Sequence, residues 1–145
     1  MSWVARIAKG GCSMRDLEHA GSLLRLAHRD LNALIGMGDS PLFADEIVGF
    51  HAQQTAEKAL KAWLSAMGTV YPLTHQLPRL LALLESAGAE VGAFWPLARF
   101  TPYAVQARYE EGPMCADEPL ERAAIIAELQ DLLRHIAAIV GDPET

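Results

Sequence analysis

Cysteine is nearly absent from this chain: Cys12 and Cys115 are its two thiols, far apart and outside any Cys-x-x-Cys or Cys/His ligand spacing. Neither a disulfide framework nor a zinc site is indicated. Basic residues are also scarce, with 12 Lys and Arg against 18 Asp and Glu, a formal net charge of -6 and a pI near 5.3. A protein that coats nucleic acid by displacing phosphate counterions needs the opposite balance, so only a local basic patch is compatible with this composition. No run approaches the roughly 18 apolar residues of a membrane span. The start, Met1 to Met14, carries Arg6 and Lys9 but lacks the continuous apolar stretch of a signal peptide. We therefore expect a soluble, cytoplasmic protein with no membrane partner. Strand-type alternation is essentially missing, as are a Gly-rich phosphate loop, a Ser/His/Asp set and a Cys nucleophile signature. His19, His28 and His135 have no second ligand at i+4, so no metal and no cofactor are expected.

What is present is apolar and helical. At 145 residues and 51% hydrophobic, the chain can bury one core and is short for two domains. Leu17, Ala20, Leu24, Ala27, Leu31, Leu34 and Ile35 form a stripe at three- and four-residue steps over residues 14 to 36, closed by Gly36 and Gly38. A second, longer helix is expected to open near Asp39 to Pro41, with Ser40 as cap and Pro41 in the first helical position, and to end at Gly68. Leu77, Leu80, Leu81 and Leu84 mark a third that stops at Gly88. Pro96 and Pro102 break the stretch from Ala93 to Tyr109 into a short helix and a further turn that Thr101 can cap. The last helix opens around Asp117 to Pro119 and buries Ile125, Ile126, Leu129, Leu132, Leu133, Ile136 and Val140. Short connections between amphipathic helices predict an all-α, up-and-down antiparallel bundle of four to five helices. Residues 1–13 read as a flexible N-terminal extension, 14–141 as the bundle and 142–145 as a tail.

The second helix has two contrasting faces. Ala52, Ala56, Ala59, Leu60, Trp63 and Met67 share one side, where small residues let a neighbouring helix come close around Leu60 and Trp63. Ile47, His51, Gln54, Lys58 and Lys61 share the other. That polar side is either a groove for a nucleotide or an acidic partner, or a solvated face with Glu57 and Lys61 paired at i,i+4. Such a pair adds only about 0.2 to 0.5 kcal/mol. Gln53 falls beside Leu60 and Leu64, where its amide needs a buried hydrogen-bond partner.

Three ordered blocks carry a resemblance. Phe50-His-Ala-Gln-Gln-Thr-Ala-Glu-Lys-Ala-Leu-Lys-Ala62, Tyr71-Pro-Leu-Thr-His-Gln-Leu77 and Tyr103-Ala-Val-Gln-Ala-Arg-Tyr109 resemble those of the HEPN domain family, over about residues 15 to 139. The resemblance implies an all-helical bundle, commonly a homodimer. In prokaryotes it implies pairing with a separate minimal nucleotidyltransferase in a toxin-antitoxin-like module, with a nucleotide or RNA as ligand. Ribonuclease members of that family carry an Arg followed after four to six residues by a His. An imidazole can move the proton of the 2'-hydroxyl while a guanidinium stabilises charge on phosphate. Here Arg108 is followed by Tyr-Glu-Glu-Gly-Pro-Met-Cys-Ala, and the next His is His135. No catalytic residue is therefore assigned, and a non-catalytic binding and docking subunit is favoured over a ribonuclease with a degenerate site or a purely structural adaptor.

The candidate binding residues are His51, Gln54, Lys58, Lys61, His75, Tyr103, Arg108 and Tyr109. Arg108 can grip phosphate through its bidentate fork, and Tyr109 can stack on a base. The alternative for Arg108 is an ion pair with Glu110, Glu111 or Glu57. His75, just before the third helix, either meets a ligand or bonds backbone at the helix start.

Overall fold

The structure, a computed structural model, describes residues 14–104 and 119–141, with the side chains of Met14 and Arg15 left out. The expected N-terminal extension and C-terminal tail lie outside those residues, as do Arg108 and Tyr109. Four α-helices and a 3-10 helix make up the described part: α1 (Met14–Met37), α2 (Asp45–Ala66), α3 (Leu77–Ser86), the 3-10 helix Gly92–Phe100, and α4 (Arg122–Val140). An all-α bundle is what the periodicity predicts, and no strand occurs among the described residues.

Helix α1 buries its predicted stripe, with Ala20, Leu24, Ala27, Leu31 and Leu34 all at or below 3% exposure. Leu17 is half-buried, and Ile35 is exposed at 48%. Adjacent helical positions differ by about 100°, so Leu34 takes the core and Ile35 turns outward. Gly36 does not stop the helix; the left-handed turn comes at Gly38, where φ is 50°.

Helix α2 opens later than the sequence suggests, at Asp45, after Ala44 in extended conformation. Pro41 lies in the preceding turn, and the Ser40 hydroxyl accepts from the Leu42 amide at 3.2 Å instead of capping the helix. The reason is tertiary. The Arg122 guanidinium, at the start of α4, donates to the carbonyl oxygens of Gly38, Ser40 and Phe43 and to the Asp45 carboxylate. That clasp satisfies the turn's backbone from outside and fixes where α2 begins.

Helix α2 is the centre of the molecule, packed against α1, α3, the 3-10 helix and α4. Ala52, Ala56, Ala59 and Leu60 are fully buried and Trp63 is 3% exposed, as their shared face predicts. Met67 lies just past the helix end, half-buried against the core. Because neighbours surround α2, its polar side is only partly solvated: Glu57 and Lys61 are buried, at 6% and 9%, while His51, Gln54 and Lys58 are half-buried and Ile47 is exposed.

Helix α1 runs antiparallel to α2, with Ser65 near the end of α2 donating to the carbonyl of Asp16 near the start of α1. The Arg122 clasp places the start of α4 at the α1–α2 turn, while Val140 at its end shares a groove with Leu17, so α4 is antiparallel to α1. Between α2 and α3 the chain doubles back: His75 sits beside Glu57, whereas Ala89, just after α3, lines the groove of Ala66 and Met67. Helix α3 therefore descends alongside α2.

Pro96 sits inside the 3-10 helix, where it gives no amide hydrogen bond to the carbonyl three residues before it. Thr101 then bridges elements, its hydroxyl accepting from the Leu77 amide that opens α3. This brings Tyr103 onto α2 at Gly49. A Cβ at Gly49 would lie 2.3 to 2.5 Å from ring atoms of Tyr103, so glycine is required by close approach.

Candidate functional site

The polar residues of α2 are gathered by two carboxylates. Asp30, on α1, lies opposite the middle of α2 because the two helices pair antiparallel. One of its oxygens accepts from His51 Nδ1 at 3.0 Å and the other from Lys58 Nζ at 2.5 Å. The side chains of His51 and Lys58 are each 27% exposed, and that of Asp30 is 13%. An ion pair this shielded is screened less by salt than a surface pair. Phe50 meets the His51 ring edge-on, with centroids 5.4 Å apart.

The second carboxylate is Glu57. Its Oε1 accepts from Gln53 Nε2 at 2.9 Å and from His75 Nδ1 at 2.8 Å, and its Oε2 from Lys61 Nζ at 2.8 Å. Gln53 is fully buried and donates also to the carbonyl of His75, while its own Oε1 accepts from Gln54 Nε2 at 2.7 Å. The buried partner that Gln53 requires is thus Glu57 together with the backbone before α3. Burial alone pushes the Glu57 carboxyl up; the hydrogen bonds from Lys61, Gln53 and His75, with the charge of Lys61, outweigh it and hold the group below its ordinary range.

Lys61 extends from Glu57 toward Tyr71, its ammonium 5.5 Å from the ring centroid. Tyr71 in turn bonds His19 at 2.7 Å, and burial raises its phenol pKa. The segment between α2 and α3 is therefore fastened at Tyr71 and at His75. Val70 and Leu73, at 92% and 98%, project from it into solvent.

Of the candidate residues, His51 and Lys58 converge on Asp30, and Lys61, His75 and, through Gln53, Gln54 converge on Glu57. Tyr103 stands apart, packed on Gly49 and 6% exposed, with its ring centroid 6.5 Å from that of Phe100. His75 does not cap α3 with its side chain. Gln76 occupies that position, and the imidazole turns back to Glu57. Asp30, Glu57 as hub, Tyr71 and His19 were not singled out by sequence. The i,i+4 spacing of Gln53, Glu57 and Lys61 was the available signal; for Asp30 nothing local pointed to α2.

The chemical capacity of the two clusters differs. At Asp30, the exposed parts of a cation and an imidazole are balanced by one carboxylate. At Glu57, the His75 imidazole has Nδ1 held by a carboxylate that is 8% exposed, while its own side chain is 60% exposed. A carboxylate bound to one nitrogen fixes tautomer and orientation, the arrangement by which an imidazole is readied to exchange a proton through its other nitrogen. No group of three or more His, Cys, Asp or Glu side chains among the described residues could hold a metal ion, and no described helix is long and apolar enough to cross a membrane.

The HEPN domain model matches residues 20–129, from the first turns of α1 into α4. The chain belongs to the HEPN domain family. Its members are linked to RNA binding or nuclease activity. Comparison with curated proteins and with solved structures gives no match. The HEPN match covers the whole of α2 and α3, and so takes in both carboxylate clusters.

Proposed function

We propose that this HEPN protein is a non-catalytic subunit that binds nucleotide or RNA and docks a separate minimal nucleotidyltransferase, as a homodimer in a two-component, toxin-antitoxin-like module. The observation that supports this reading most is the missing pair: no His follows Arg108 until His135, so the arginine and histidine spacing of metal-independent RNA cleavage is lacking. The balanced α1–α2 face is consistent with it, since docking needs shape and matched charge more than an excess of one sign. Leu26 and Ile47, each 39% exposed, lie one turn before Asp30 and His51 and add apolar area for association. Co-expression with a small nucleotidyltransferase encoded beside it tests the partnership. The two should purify as one complex, and Ile47→Asp with Lys58→Glu should weaken it at least about tenfold, the effect of losing roughly 1.4 kcal/mol. Failure to associate removes the partnership.

One observation favours a second reading, a ribonuclease with a degenerate site. The His75 imidazole, held by Glu57 and open to solvent, could take the proton of a 2'-hydroxyl. Incubation of purified protein with RNA in chelator separates the two. Cleavage abolished by Arg108→Ala or His75→Ala would replace the binding-subunit reading; intact RNA supports it.

A further inference from the structure

A groove of about 400 Å³ opens where the ends of α2 and α4 meet the start of α1. Trp63 and His135 pack beside it with ring centroids 4.8 Å apart, and Phe94 lies 5.4 Å from His135. Leu17, Met67 and Ile139 are among its walls, and the exposed Glu90 contributes a carboxylate. Ile139 is 43% exposed there, and Glu90 makes no ion pair with any described residue. Among the described residues the groove therefore offers an exposed apolar wall and a negative charge without an ion pair.

A segment of complementary chemistry adjoins it. Residues 1–13, outside the described part, join α1 at Met14, and Leu17, about one turn on, already lines the groove. They read Met-Ser-Trp-Val-Ala-Arg-Ile-Ala-Lys-Gly-Gly-Cys-Ser, with Trp3, Val4 and Ile7 to cover apolar surface and Arg6 and Lys9 to match Glu90. Gly10-Gly11 permits the sharp reversal a returning segment needs. The four residues from Gly10 to Ser13 reach up to about 13 Å, enough to turn back over the first turn of α1. The residues that follow α4, Asp142-Pro-Glu-Thr145, have no large apolar side chain and carry the same charge as Glu90.

We infer that this groove is the docking site of the chain's own residues 3–9, with apolar side chains covering the Ile139 wall and a cation of Arg6 or Lys9 paired with Glu90. This contact is independent of the nucleotidyltransferase reading. Trypsin cuts after Arg6 and Lys9 only where the backbone is accessible. In the full chain, cleavage at both should be at least about tenfold slower than in a free peptide of residues 1–14, and Glu90→Lys or Ile139→Asp should restore most of the peptide's rate, as expected when loss of one contact opens the site. Cleavage at the peptide's rate overturns the proposal, as does protection that both substitutions leave intact. Cysteine pairs fix the register in a Cys12→Ser, Cys115→Ser background. Val4→Cys with Ile139→Cys should form a disulfide within one chain at a rate independent of concentration, whereas Val4→Cys with Leu42→Cys, at the opposite end of the bundle, should not. Equal crosslinking of both pairs overturns the inference, and a crosslink that grows with concentration overturns it in favour of a second copy's segment.

Discussion

Replacing Gly49 by alanine sets two effects of known size against each other. In the interior of α2 the exchange gains helix propensity, about 1 kcal/mol. Against it stands Tyr103: the new methyl carbon would lie 2.3 Å from Cδ1 and 2.5 Å from Cγ and Cε1. Cγ belongs to the root of the ring and cannot swing aside like the tip of a long side chain. The ring is also enclosed, at 6% exposure with Phe100 beside it. Either helix and turn separate or the ring leaves, and overpacking of this kind costs about 1 to 3 kcal/mol, in severe cases more. With a contact this short the clash should prevail, leaving a net loss of about 1 to 2 kcal/mol after the propensity gain. For a domain of this size that lowers the Tm by roughly 3 to 8 °C. Thermal and denaturant unfolding of wild type, Gly49→Ala, Tyr103→Ala and the double variant measure it. Once Tyr103→Ala has removed the ring, Gly49→Ala should change sign and stabilise by up to about 1 kcal/mol. A stabilising Gly49→Ala in the wild-type chain, or no change of sign in the cycle, refutes the close-approach argument.

Two further stability measurements probe the core and the Glu57 cluster. Trp63→Ala removes a side chain 3% exposed in the core and should cost about 3 to 5 kcal/mol in denaturant unfolding; a cost below about one would remove it from the core. Glu57→Gln keeps the shape but leaves Lys61, with an 11% exposed side chain, without its counter-charge, for a loss of about 3 kcal/mol at neutral pH. Because the folded-state pKa of Glu57 is depressed, its contribution is fully present above the ordinary carboxylate value of 4.5 and is lost as pH falls through the lower folded value. Wild-type stability should therefore fall through that acid window, with a shallower slope in Glu57→Gln; identical slopes would mean that the pairing does not set the acid limb.

The helices were legible because their apolar residues recur at helical steps. The Ala and Trp face of α2 declared its burial in the same way. What escaped was decided by residues distant in sequence. Ser40-Pro41 looked like a helix start, but Arg122, more than eighty positions on, holds that turn by its carbonyl oxygens. Glu57 and Lys61 looked like an exposed i,i+4 pair, yet the same spacing became a buried hub because α2 is surrounded by neighbours. Gln53 was readable as a residue in need of a partner, since its position among Leu60 and Leu64 is local information. The identity of that partner's other ligand, His75, depended on the chain doubling back between α2 and α3. Of the candidate residues, His51, Gln54, Lys58 and Lys61 lie on the helix where sequence places them, and sequence could not show that Asp30 and Glu57 would divide them into two groups.

The pairing of Lys58 with Asp30 and Lys61 with Glu57 has a consequence for how any polyanion would be held. A lysine already neutralised by a carboxylate contributes little to displacing counterions from RNA, and it is that displacement that makes protein–RNA affinity fall with ionic strength. On a chain of net charge -6, contact through this face would rely on stacking, amide hydrogen bonds and shape. Its affinity would then vary little with added salt, a thermodynamic signature unlike that of a basic RNA-binding groove.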